Sequence, residues 1–143
     1  MVEKKNRKPI HTQWAGQFYV AAELARREYI VTFTLGNVPR TDLIATSPAG
    51  KSFRIECKSQ KSSNFWLVGD VPEKPVYYIF VLVPLKDYEF PEFFIIPSKT
   101  VKQLVAEEIK RTNERGTNPA TFKAGFPFSE VKPFKNAWHK LPK

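Results

Sequence analysis

Eight consecutive apolar residues, Val76 to Val83 (Val-Tyr-Tyr-Ile-Phe-Val-Leu-Val), constrain this chain more than any other stretch. The run is too short to cross a bilayer, which takes about 20 residues. It is rich in β-branched and aromatic side chains, so it reads as a strand. Side chains alternate across a strand, so an all-apolar strand has two faces to bury. That demands a place in the middle of a sheet covered on both sides. A chain of 143 residues, 42% hydrophobic and 26% charged, is large enough for one such domain.

The rest of the sequence supplies the covers and the neighbouring strands. Thr12 is a suitable N-cap for a helix running to about Glu28. Gln13, Gln17, Val20, Ala21 and Leu24 form one stripe of that helix, with Trp14, Phe18 and Ala25 beside it. Tyr29 to Leu35 reads as a strand and Gly36 to Arg40 as a loop. A hairpin follows: Asp42 to Ser47, a turn at Pro48-Ala49-Gly50, then Ser52 to Lys58. Ser59 to Asn64 is a polar loop, anchored to the core by Phe65 and Trp66. Phe93 to Ile96 is another short strand. Ser98 is placed to cap a helix from about Lys99 to Glu114, with Val101, Leu104, Val105 and Ile109 on one face and Gly116 as its stop.

From Thr117 the chain is loop-like, with Pro119, Pro127, Pro133 and Pro142. It also carries Phe122, Phe126, Phe128, Phe134 and Trp138, too many aromatics for a disordered tail, so they are expected to pack. The order is α-β-β-β-β-β-α plus a tail. It predicts an α/β fold with a central mixed β-sheet flanked by helices. Residues 1–11 are expected to be a flexible basic arm, and residues 12–143 a single domain with an aromatic, Pro-rich C-terminal tail.

Charge narrows the partner. The formal net charge is +9, with concentrations at Lys4, Lys5, Arg7 and Lys8 and at Lys132, Lys135, Lys140 and Lys143. Such a balance favours a polyanion through counterion release. An anionic membrane surface fits less well, because no basic amphipathic helix with a large apolar face lies at either end. One cysteine, Cys57, excludes an intramolecular disulfide framework and a multi-cysteine zinc site. With no segment reading as a signal peptide, a cytoplasmic location is the expectation.

The hairpin carries the chemistry. On its second strand Phe53, Ile55 and Cys57 share one face, and Arg54, Glu56 and Lys58 share the other. A three-residue turn with Gly50 at positive φ pairs Ser47 with Lys51, and counting back pairs Asp42 with Glu56 on the same face. A two-residue loop would instead set Asp42 opposite Ile55, and a four-residue loop opposite Cys57, both of the wrong parity unless a bulge intervened. Two carboxylates that close repel each other unless a divalent cation lies between them. Hard oxygen donors without a histidine or thiolate set point to Mg²⁺ or Mn²⁺ rather than zinc. Lys58 beside them would orient or deprotonate an attacking water and offset charge building on a phosphate.

Asp42, thirteen intervening residues, then Glu56-Cys57-Lys58 resembles the signature of the PD-(D/E)XK nuclease superfamily, which includes restriction endonucleases and Holliday-junction resolvases. The resemblance spans roughly Thr12 to Val83 and implies a restriction endonuclease-like α-β-β-β-α core. It implies metal ligation by Asp42, Glu56 and the main-chain carbonyl of Cys57, with Lys58 catalytic alongside the two carboxylates. Thr41 stands where the family's proline is usually written. Resolvase-like members often carry a glutamate near a glycine on the first helix. Here Gly16-Gln17 occupies that neighbourhood, so Gln17 is the candidate for that metal-side position, with a neutral amide in place of a carboxylate. Glu23 lies about 120° away around the helix and reads as solvated.

The resulting expectation is a Mg²⁺- or Mn²⁺-dependent endonuclease that hydrolyses phosphodiester bonds, with DNA favoured over RNA. A homodimer is expected where both strands of a duplex are cut. The competing reading is a catalytically inactive nucleic-acid-binding or regulatory module on the same fold. Cys57 reads as a core residue rather than a reactive thiol. His11 and His139 have no ligand partners near them in sequence. Ser59, Gln60 and Lys61 read either as phosphate contacts or as a solvated loop.

Overall fold

The computed structural model describes residues 9–116 and 124–143. The elements are α1 (Ile10–Ala25), β1 (Ile30–Phe33), β2 (Leu43–Thr46), β3 (Ser52–Gln60), β4 (Trp66–Leu67), β5 (Tyr77–Leu82), β6 (Glu92–Pro97), α2 (Ser98–Glu114) and β7 (Gly125–Phe126). Two 3₁₀ segments follow, Phe128–Phe134 and Trp138–Lys140. Five strands form one mixed sheet in the order β1-β2-β3-β5-β6, in which only β3 and β5 run parallel. A separate ladder joins β4 to β7. The protein is therefore a mixed α/β fold.

The apolar run occupies the sheet's interior as its composition requires. Ile79 and Val81 of β5 pack toward α1 with Val20, Leu24, Leu43, Ile55 and Ile95. Tyr78 and Phe80 pack toward α2 with Ile96, Val101, Val105 and Phe126. Each such side chain, fully buried, contributes about 1.5–3 kcal/mol of transfer free energy. The two helices thus cover opposite faces, and β5 is the strand both depend on.

Several local expectations shift. Helix α1 starts at Ile10, so Ile10 and His11 leave the expected arm, and residues 1–8 lie outside the described residues. Thr12 is buried inside α1 and caps nothing; the buried stripe is Thr12, Gly16, Val20 and Leu24, with Gln13 exposed. The stripe moves because Gly16 lets the helix approach β3: a Cβ there would lie 1.7 Å from Ser59 Oγ. Ser98 does not cap α2. Its hydroxyl instead accepts the Val76 N–H (3.1 Å) while its own N–H donates to the Val76 carbonyl (2.8 Å), which ties the start of α2 to the start of β5. Ile109 is 40% exposed, and the buried face of α2 is extended by Glu108 and Thr112.

Most of the tail packs as its aromatics demand. Phe126 is buried, Phe128 stacks on Trp66, and Trp138 packs on Phe93 with the Arg27 guanidinium over its ring. Asn136 N–H donates to the Phe93 carbonyl at 2.8 Å, so the tail covers the outer edge of β6. The expected packing of Phe122 lies outside the described residues. Among the described residues no helix is long and apolar enough to cross a membrane.

Candidate active site

The turn sets the register. Gly50 has φ 87°, its N–H donates to the Ser47 carbonyl, and Ser47 N–H donates to the Lys51 carbonyl at 2.8 Å. The three-residue loop is therefore closed, and the strands pair Thr46 with Ser52 through Leu43 with Ile55. That register, carried one residue further, sets Asp42 against Glu56. The ladder stops at Leu43, however, and Asp42 N–H turns back to the Ile55 carbonyl at 2.9 Å. On its other side the Asp42 carbonyl accepts from Thr34 N–H at 3.0 Å and from the Thr34 hydroxyl at 3.2 Å. Asp42 is thus fixed between two strands just where β2 begins.

Strand β3 outruns β2. Its pairing with β5 continues to Gln60 opposite Leu82, so beyond Ile55 it has a partner on one side only. Backbone groups alternate along a strand. Gln60 presents its carbonyl to β5, accepting Val83 N–H at 2.8 Å, while Ile55 presents its own to the β2 side. The same alternation aims the N–H and the carbonyl of Cys57 at the open edge. The Cys57 N–H donates to Asp42 Oδ2 at 2.7 Å, and Gln17 Nε2 from α1 reaches Asp42 Oδ1 at 3.4 Å.

Glu56 is buried, and its Oε1 lies 2.8 Å from Lys58 Nζ. Among the described residues its Oε2 is buried without a hydrogen-bond partner, and so is the hydroxyl of Tyr78, the residue that pairs with Glu56 across the β3–β5 register. An orphaned carboxylate oxygen in a closed position is costly unless a cation or donor meets it. Burial holds the Asp42 carboxyl above its ordinary range; the Glu56 charge adds to the rise, while the Cys57 N–H and Lys58 oppose it. Burial, then the Asp42 and Glu56 charges, push the Cys57 thiol well up, which keeps it protonated and unreactive. Tyr78 is likewise pushed up, by burial first, then by the Glu56 charge and by the approach of its hydroxyl to that carboxylate, although no hydrogen bond of ordinary length closes between them.

The fold thus brings Asp42, Glu56, Cys57, Lys58 and Gln17 to one open strand edge. Glu23 is elsewhere, bound by Arg26 (3.0 Å) and Arg27. His11 and His139 are exposed. Ser59 packs on Gly16, and Gln60 Nε2 donates to the carbonyls of Ser62 and Asn64 at 2.8 Å each, so both serve the architecture. Tyr78 escaped the sequence reading, although two phenols, Tyr77 and Tyr78, inside an otherwise hydrocarbon strand were the signal. It needed the parallel register to be placed beside Glu56.

The donors suit a hard cation. Two carboxylates, near enough for the Glu56 charge to act on Asp42, lie beside the Cys57 main chain, and the donors are oxygens rather than thiolates. Among the described residues no group of three or more His, Cys, Asp or Glu side chains gathers as a metal site. Ligation here would therefore rest on Asp42, Glu56 and backbone, with Gln17 as a neutral fourth group. No protein-family model, curated protein or solved structure matches this chain.

Proposed function

We propose that the protein is a divalent-cation-dependent nuclease that hydrolyses phosphodiester bonds, DNA foremost, on a restriction endonuclease-like α-β-β-β-α core whose first helix and three strands are α1, β1, β2 and β3. The observation that carries this reading is the buried, unpartnered Glu56 Oε2 beside Asp42 and Lys58 on an open strand edge. Asp42, Glu56 and the Cys57 carbonyl would hold Mg²⁺ or Mn²⁺. When bound, the cation supplies positive charge to the phosphoryl group and a more nucleophilic water.

The remaining roles belong to the chain. Cys57 N–H fixes Asp42 Oδ2, while Gln17 Nε2 reaches Oδ1. Lys58, held by Glu56, places an ammonium beside the carboxylates, where it orients the attacking water and offsets charge developing on the phosphate. Gln17 donates to Asp42 and steadies its rotamer. The basic excess of the chain favours a polyanionic substrate.

One observation favours a second reading. With Gln17 rather than an acid beside Asp42, the donor set carries only two negative charges, and a module that binds nucleic acid without cutting it needs no more. One comparison separates the two. Wild type with Mg²⁺ or Mn²⁺ is expected to cleave a labelled DNA duplex or single strand, to stop in EDTA, and to lose at least about 10²-fold in rate as Lys58→Ala. Binding without cleavage by the wild type under every cation tried would leave the binding module standing and remove the nuclease.

A further inference from the structure

Arg40 stands two residues before Asp42 and has no part in the reading above. Its backbone is left-handed, with φ 53°, a conformation rare for arginine and held only where the surroundings fix it. Its guanidinium bridges from the β1–β2 loop to the β4–β5 loop. There Nη1 donates to the Asp70 main-chain carbonyl, and Nη2 lies 3.9 Å from the Asp70 carboxylate. The β4–β5 loop follows Trp66 and Val68, which pack on the same face of the sheet as Tyr78. Arg40 is therefore on the side that carries Glu56 and Lys58, and its charge reaches the Tyr78 phenol, where it opposes the upward push of burial.

The Asp70 carboxylate is a weak anchor, and the main-chain carbonyl alone holds Nη1 closely. The Asp70 carboxylate is fully exposed, its contact with Nη2 is at the long limit, and exposed ion pairs hold side chains loosely. A phosphate presents two oxygens to the same planar fork and satisfies it in bidentate geometry. We propose that Arg40 is a phosphate-binding residue flanking the site, resting on Asp70 in the free protein and passing its guanidinium to a backbone phosphate of the bound nucleic acid. The inference rests on the nucleic-acid reading above.

Under this proposal Arg40→Gly weakens binding and Asp70→Ala tightens it, whereas a tether through the Asp70 main-chain carbonyl survives Asp70→Ala and predicts no gain from it. The probe is a fluorescein-labelled DNA duplex in EDTA, read by anisotropy across a salt series. Arg40→Gly is the main variant, because glycine accepts the left-handed φ and leaves the backbone in place. It should weaken binding by about fivefold or more and lower the log–log salt slope by about one, and Arg40→Lys should recover part of both. Asp70→Ala should tighten binding severalfold, and that gain should vanish in the Arg40→Gly background. Glu73→Ala, on the same loop and paired with Lys102 at 3.3 Å, controls for net charge alone.

Weakening by Arg40→Gly without a gain in Asp70→Ala, whether Asp70→Ala is neutral or also weakens binding, would make Arg40 a loop tether and overturn the proposal. So would an Asp70→Ala gain that persists without Arg40 or that Glu73→Ala reproduces in full. Unchanged affinity and slope in Arg40→Gly, with wild type binding well, overturns this inference alone. No binding by wild type even at low salt removes the nucleic-acid reading and this inference with it.

Discussion

Asp42 accepts the Cys57 N–H at 2.7 Å, yet its carboxyl remains above the ordinary range because burial, joined by the Glu56 charge, outweighs that bond and Lys58. The native state therefore binds the Asp42 proton more tightly than the unfolded chain does, so the charged form costs stability at neutral pH. That cost begins to shrink as pH falls through the folded pKa and is gone below the ordinary carboxylate range, where Asp42 is neutral in both states. Asp42→Asn keeps an oxygen for Cys57 N–H and removes the charge. It is expected to raise the melting temperature at about pH 7 in EDTA, with the gain shrinking toward about pH 4, the ordinary carboxylate range. The same variant should lose at least about 10²-fold in cleavage. Thermal melts at the two pH values, set beside the rate, check both halves. A variant that is less stable than wild type at neutral pH would show that Asp42 is held by its hydrogen bonds rather than strained by its burial.

Elements fix the site through two close approaches. At the hairpin, Gly50 closes the turn and the register follows from counting residues, which is why Asp42 and Glu56 could be placed together from sequence. The alternation of Phe53, Ile55 and Cys57 against Glu56 and Lys58 was legible for the same reason, since a period of two survives any error at the strand ends. At α1 the approach was not legible. Thr12 looked like a cap and Gln13 like part of the buried stripe, because helical periodicity fixes a face only to within a residue when the true contact is a glycine. Strands β4 and β7 were missed too, since two-residue strands carry no period. Gly16 and Ser59 form the α1–β3 contact, and α1 brings Gln17 to Asp42. Gly16→Ala should force Ser59 aside and cost about 1–3 kcal/mol by denaturant unfolding. Ser59→Gly in the same chain should restore most of it. Failure of that rescue would place the strain in the helix backbone instead.

At the scale of the molecule, the charge excess matters more than any single cation. Lys and Arg number 23 against 14 Asp and Glu, and several acids are engaged locally: Glu108 and Glu130 on Arg111, Glu92 on Lys135, Glu73 on Lys102. The exposed pairs, Glu92–Lys135 and Glu73–Lys102, add little stability, but like the buried Glu108 they hold acidic charge against a cation of their own. A polyanion approaching the open edge of β3 meets Lys58 and Arg40 within a strongly basic chain. Binding should therefore be dominated by counterion release, with log affinity falling linearly in log salt at a slope near −0.9 per phosphate contacted. For about four contacts, affinity should drop by roughly 10²-fold between 50 and 200 mM salt. An affinity indifferent to salt would mean that the basic excess serves solubility, and would sever the link between net charge and the site. A steep slope that Lys58→Ala leaves nearly unchanged, while cleavage is lost, would assign holding to the surface and cutting to the hairpin.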